Sequence, residues 1–163
     1  MASPDTAGDL LPAGRGAAPP VPAGFLRRSL AAAIDAAVLI AFLFADYYLL
    51  VAGLGWQVDR VSAGPVDYVF ILTAAVFAWL YCAGAESSGR GRTLGKALLR
   101  LAVRDRDGEV PGLGRASLRF VARFATLATA LVGWFAILVT KRRQALHDLI
   151  AGTVVVVDDR APV

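Results

Sequence analysis

The chain has 163 residues, room for one domain. Apolar residues make up 57% of it and the mean hydropathy is +0.59, above the roughly 45–50% of a soluble domain. This excludes a disordered chain, which needs low hydrophobicity and high net charge. The net charge is +4, from 17 Lys and Arg against 13 Asp and Glu. The chain is too apolar for a soluble basic binder, so no nucleic-acid partner is expected and the lipid bilayer is the expected solvent. A single Cys, Cys82, excludes a disulfide framework and a cysteine-cluster metal site.

Residues 1–24 are rich in Ala, Gly and Pro without apolar periodicity and read as a disordered tail. Asp5 and Asp9 stand where a cleavable signal peptide would have its basic region. The pair Arg27-Arg28 instead abuts the first long apolar run, the pattern of an anchor that stays in the membrane. From Leu30 to Val51 the charged residues are Asp35 and Asp46. That run is long enough for a helical span, which needs about 20 residues with a range of about 17–25. Tyr68 to Ala83 carries no charge and reaches span length with its flanks, Val66 to Gly84. Phe124 to Val139 is also uncharged but has only 16 residues, unless the turn with Arg119 and Arg123 is drawn in with snorkelling side chains. The plainer alternative, buried helices of a soluble protein, leaves too little polar surface to cover three such stretches.

Orientation follows the Lys and Arg near the spans. The connection from Ala52 to Pro65 carries Arg60 alone, whereas Gly84 to Leu118 carries Arg90, Arg92, Lys96, Arg100, Arg104, Arg106 and Arg115. With Arg27-Arg28 ahead of the first span, the N-terminus and the long connection are expected in the cytoplasm. A plain third crossing would put Lys141-Arg142-Arg143 outside, against the same bias. Thr153 to Val157 and the region around Leu101 to Val103 are strand-like, and such strands look like partners on one side. Two readings stay open for the third segment: a plain span, or a re-entrant hairpin with Gly133 as its break point.

Asp35 and Asp46 lie inside the first span, where a carboxylate costs about 2.5–3.5 kcal/mol and normally faces a partner or water. Eleven residues at 100° each leave the two roughly 20° apart around the helix. Arg28 falls on the same stripe with Ala31 and Ala32 between, small residues that let another helix come close. Arg28 and Asp35 are roughly 10 Å apart along the axis, so each needs a partner from elsewhere. Arg119 and Arg123, neighbours on one helix face, and Asp148 are the candidates. Asp46 is nearer the outer end and reads as interfacial. The functional reading of the stripe is an ion or proton path; the plainer one is interhelical salt bridges.

Gly89-Arg90-Gly91-Arg92-Thr93-Leu94-Gly95-Lys96 resembles a phosphate loop at first sight. It has Arg where the first Gly is needed and Ala97 after the Lys, so no NTPase is expected. Thr93 is expected to cap the following turn and Gly95 to permit close backbone approach. Lys96, with Arg92 and Arg100, would suit anionic lipid headgroups at about 1 kcal/mol each. His147, followed by Asp148 and then Gly152-Thr153, is the only histidine, so a multi-His metal site is excluded. Beside Asp148 it would titrate near neutral pH, or else be an ordinary hydrogen-bonded interface histidine. Neither a Ser-His-Asp nor a Cys-His pairing is legible, and no enzyme activity, catalytic residue, cofactor or metal is expected.

These residues together resemble the RDD family of small bacterial membrane proteins, named for one Arg and two Asp. The resemblance rests on Arg28-x-x-Ala31-x-x-Ile34-Asp35, Gly91-x-Thr93-x-Gly95-Lys96, Asp105-x-Asp107-Gly108, Arg119, and Leu146-His147-Asp148-Leu149-Ile150-Ala151-Gly152-Thr153. It covers roughly Gly24 to Val157 and makes Arg28, Asp35 and Asp148 the name-giving residues. It implies sodium/proton exchange or other transport, with Asp35 binding Na⁺ or H⁺ while Arg28 or Arg119 tunes it. Two or three spans are few for a transporter, so a homo-oligomer is expected. The alternative is a membrane-embedded accessory protein that binds another membrane protein through the Gly-Lys loop. The expected fold is an all-α membrane protein with two clear transmembrane helices, a third span or re-entrant hairpin, and a small cytoplasmic strand-containing loop. It would comprise a tail over 1–24, a membrane domain over 25–157 and a C-terminal tail over 158–163. The expected location is the bacterial plasma membrane, multi-pass, with a cytoplasmic N-terminus.

Overall fold

The computed structural model describes residues 21–53, 65–128, 136–138, 140 and 143–158. Half of the third apolar segment, including Gly133, lies outside the described residues, as do residues 1–20 and 159–163, Arg60, Lys141 and Arg142.

The fold is mostly helical. Helix α1 runs from Phe25 to Tyr48 and continues into a π-helical turn, Leu49–Gly53. Helix α2, Pro65–Trp79, likewise continues into π-helical Leu80–Gly84 and a last turn, α3, Ala85–Ser87. A short helix α4, Leu94–Leu98, leads into strand β1, Leu101–Asp105. Helix α5, Leu113–Ala128, follows, and then helix α6, Leu146–Ala151, and strand β2, Thr153–Val157. Gly152, at φ 65°, ends α6 in the left-handed conformation that glycine adopts without strain.

Strands β1 and β2 pair antiparallel, with Leu101 opposite Val157 and Asp105 opposite Thr153. The β-branched run at Thr153 and the strand-like region at Leu101 thus find each other across the third segment. The last tail residues join them, which corrects the expected tail boundary at residue 24. Ala23 N donates to Val155 O at 2.9 Å, Val157 N donates to Val21 O at 2.9 Å, and Pro22 bridges to Val156. At the other end Asp158 is held too, its N–H donating to Arg100 O at 2.8 Å. The turn after β1 is built by Asp105, whose Oδ1 accepts from the N–H groups of Asp107 and Glu109 at 2.9 and 3.1 Å.

Ala23, Ala31, Leu101, Val103 and Val155 form a small apolar core where the sheet meets α1. Higher up, α1 and α2 pack through Phe42 stacked on Phe77 and Tyr47 edge-on to Phe70. Thr73 Oγ1 donates to Asp46 Oδ2 at 2.6 Å, so Asp46 has a helical partner. The side chains are otherwise distributed the reverse of a water-soluble protein. Leu26 is 81% exposed and Phe44 72%, while Arg119 is 1% exposed and Asp148 0%. Helix α5 shows this most clearly: Leu118, Val121 and Phe124 face outward and Arg119 and Thr126 inward. Apolar faces this large on a single chain mark contact with lipid or protein. Phe25–Ala52 and Asp67–Ser87 are long and apolar enough to cross a membrane.

Candidate functional site: a buried charge network beside α1

At the start of α1, the pitch that turns Leu26 outward turns Arg28 inward. Its guanidinium pairs through Nη2 with Asp148 Oδ2 and donates through Nη1 to Arg143 O at 2.6 Å. Asp148 is the third residue of α6, and its Oδ2 also accepts the Ala145 N–H at 3.1 Å, satisfying an orphan donor of the helix start. Its Oδ1 pairs with Arg119 Nη2 at 2.6 Å. Arg119 reaches onward to Glu86 Oε2 at 3.3 Å, and Glu86 also pairs with Lys96 and Arg123. Two buried carboxylates, Asp148 and Glu86, therefore hold four cations, with Arg119 shared between them.

Asp35 stands apart from this chain of ion pairs. Its Oδ1 accepts from Tyr81 Oη at 2.7 Å and from Gly95 N at 2.8 Å, and its Oδ2 accepts from Thr93 Oγ1 at 2.6 Å. The π-helical Leu80–Gly84 carries Tyr81 to this position. Asp35 thus caps α4 from another helix, since Gly95 N–H is one of the donors that a helix start leaves free. This corrects the expectation for Thr93. It occupies the N-cap position, but its hydroxyl turns to Asp35 rather than to its own helix. These three partners are neutral donors from Tyr81, Thr93 and Gly95. Gly95 does permit the close approach expected of it: a Cβ there would fall inside contact distance of Ala31 O and 2.8 Å from Asp35 Oδ1.

Lys96 and Arg92 are buried rather than turned to lipid headgroups. Burial, opposed by Glu86 and reinforced by repulsion from Arg119 and Arg123, pushes the Lys96 ammonium down to about 8. His147 does not titrate near neutral pH. Burial pushes its imidazole down to about 3, opposed by the attraction of Asp148 and reinforced by repulsion from Arg119, Arg123 and Arg28. Its Nδ1 is within hydrogen-bond distance of Thr126 Oγ1 at 3.2 Å, and its Nε2 lies 3.4 Å from Asp148 Oδ1. Burial acts to raise Asp148, but Arg119 and Arg28 hold it well below the usual carboxylate range. In the tail motif, Gly152 shapes the backbone, and Thr153 is buried with its carbonyl accepting from Gln144 Nε2 at 2.6 Å.

Between α1, α4, α5 and the sheet lies a cavity of about 320 Å³. Arg28, Asp35, Lys96, Arg119, Arg123 and His147 line it, beside the apolar Ala31, Ala32, Ala36, Leu39, Leu101 and Val155. Of the residues singled out from the sequence, Arg28, Arg119, Asp148 and His147 meet in one cluster. Thr93 and Gly95 meet at Asp35, and Lys96, next to Gly95 in α4, pairs with Glu86. Glu86 and Tyr81 were missed. Glu86 carried a readable signal, as an acid closing an apolar run just before a connection full of Arg and Lys.

The RDD family model matches residues 22–152. The chain belongs to the RDD family. The matched span takes in every ion pair of the network from Arg28 to Asp148, and the motifs that suggested the family from sequence all start inside it. An uncharacterized protein of Rickettsia prowazekii (strain Madrid E) is 41% identical over 68 residues, 41% of this chain and 37% of that relative. The match therefore spans little more than a third of the relative's length. No solved structure matches the chain. Family membership and the two exposed apolar helices support a membrane location.

Proposed function

We propose that this chain is a multi-pass integral protein of the bacterial plasma membrane, its N-terminus in the cytoplasm, that carries a small ion or solute. One observation carries the reading. The cavity runs beside α1, a helix long and apolar enough to cross a membrane, and is walled by charged side chains that lipid would exclude. In the sodium/proton form of this reading Asp35 is the exchanging group. Its carboxylate takes either H⁺ or Na⁺, and the Tyr81 and Thr93 oxygens beside it are of the hard, neutral kind that such a cation uses. Two helices enclose little on their own, so the reading includes a homo-oligomer, and it includes no catalytic step. Thr93, Gly95 and Lys96 are turned inward, which leaves the accessory alternative without its expected contact residues.

The sheet supports the re-entrant version of the third segment. With α1 and α2 both crossing, Val21–Ala23 and β1 lie on one side of the bilayer. Strand β2 pairs with both, and Asp148 just before it pairs with Arg28. The chain between α5 and α6 then leaves and returns on that same side, which the positive-inside bias makes cytoplasmic. The test of function is flux: purified protein in liposomes, internal pH followed during a sodium pulse, beside Asp35→Asn. A sodium-dependent pH change that vanishes in the variant is expected. Folded, inserted protein with no flux above empty liposomes would refute exchange.

A further inference from the structure

The cavity's charges do not balance. Arg28, Lys96, Arg119 and Arg123 line it against Asp35, and the carboxylates that pair with those cations, Glu86 and Asp148, stand behind them rather than on the wall. Four cations, Arg28, Lys96, Arg119 and Arg123, meet three carboxyl groups, Glu86, Asp148 and Asp35, an excess of at least one positive charge in a partly dehydrated space. Buried charge without a counter-charge is expensive enough that proteins rarely leave it so. Arg119 Nε is moreover buried without a hydrogen-bond partner among the described residues, on a side chain that borders the cavity. The oxygens of Asp35 are already engaged by Tyr81, Thr93 and Gly95, so that carboxylate answers none of this.

Apart from Thr126 and His147, the rest of the wall is apolar. Ala31, Ala32, Ala36 and Leu39 lie along α1, and from Arg28 to Leu39 the helix rises about 16 Å. A volume of about 320 Å³ is at the lower end of the range for small-molecule sites, roughly 300–1,000 Å³. We infer that the cavity binds an amphiphilic anion, its carboxylate or phosphate head among Lys96, Arg119 and Arg123 and its apolar body along Ala32, Ala36 and Leu39. Guanidinium groups suit both heads, since their planar N–H forks match carboxylate and phosphate oxygens. The inference goes beyond ion exchange and does not depend on it: binding is measurable in a protein that shows no flux, and exchange at Asp35 can fail without touching it.

The test uses the full chain in neutral detergent and in phosphatidylcholine nanodiscs. Decanoate is titrated calorimetrically beside decanol and inorganic phosphate, and native mass spectrometry compares retained phosphatidylglycerol with phosphatidylcholine. Saturable binding of one anionic amphiphile per chain is expected, with decanol and phosphate at least tenfold weaker. Binding of decanoate identifies a free amphiphile as occupant, whereas retention of phosphatidylglycerol alone identifies a lipid. Arg123→Gln should weaken binding tenfold or more. Ala32→Leu, which fills the apolar wall and leaves every charge in place, should do the same in a protein that keeps its elution volume and melting temperature. Equal retention of neutral and anionic amphiphiles in both arms, or unchanged binding in Ala32→Leu, would overturn the proposal.

Discussion

The pair Arg28–Asp148 ties the first helix to the last, and its weight can be worked out from its surroundings. Both side chains are buried, so removing one partner strands a charge, which costs about 3–5 kcal/mol. The two substitutions should not be equal. In Arg28→Gln, Asp148 keeps Arg119 and the Ala145 N–H. In Asp148→Asn, Arg28 loses its counter-charge and keeps the Arg143 carbonyl, and Arg119 falls back on Glu86 at 3.3 Å. Asp148→Asn should therefore lie at the upper end of the range and Arg28→Gln at the lower. The double variant should fall short of the sum by about 1–3 kcal/mol, because the second substitution removes a charge already stranded. At about 2–4 °C per kcal/mol for a chain of this size, the singles should lower the melting temperature by about 6–20 °C. Thermal unfolding of the four proteins, followed by intrinsic Trp fluorescence in one detergent, measures the cycle. Strict additivity, or an Arg28→Gln loss larger than that of Asp148→Asn, would refute the buried-pair reasoning.

Other expectations follow from the same geometry. Gly95→Ala should cost about 1–3 kcal/mol by overpacking, since its Cβ would meet Ala31 O and Asp35 Oδ1; a denaturant midpoint unchanged from the parent would contradict the close approach of α4 to α1. Stability should fall on acidification below pH 6.5. His147 is held down to about 3 in the fold while the unfolded chain takes up its proton near 6.5, so the unfolded state binds more protons throughout that window. By pH 5 the loss amounts to about 2 kcal/mol, and His147→Gln should flatten the slope there. Asp148, lowered by its arginines, adds a loss of the same sign only below its ordinary range. In a Cys82→Ser background, Glu109→Cys and Asp158→Cys should both react with a membrane-impermeant maleimide from the same side of the bilayer. Labelling from opposite sides would sink the re-entrant version of the third segment.

What could be read from the sequence was whatever repeats along one element. Arg28, Ala31 and Asp35 share a helical stripe, so the inward face of α1 was visible before any partner was known. The β-branched run at Thr153 announced β2 in the same way. Partners drawn from distant elements were harder. Glu86 meets Lys96 ten residues on, but Arg119 and Arg123 lie 33 and 37 residues away, and no periodicity connects such positions. Lys96 was misjudged for the same reason: a lysine in a basic loop reads as solvated until a buried acid is set beside it. The π-helical Leu80–Gly84 left no local mark either, although it carries Tyr81 to Asp35.

The arrangement also explains why so many charges sit inside so apolar a chain. Between helices in lipid there is little hydrophobic drive, since the tails are as apolar as the side chains, and association falls to close packing, hydrogen bonds and ion pairs. Here Ala31 and Gly95 supply the close packing, and Asp35 and the Arg28–Asp148–Arg119–Glu86 chain supply the polar links. Arg28, Asp35 and Arg119 also wall the cavity, so a substitution that removes one of these charges weakens fold and site together. Loss of binding or flux in Arg28→Gln would say little about either. Ala32→Leu separates them, because it fills space in the cavity without changing any charge.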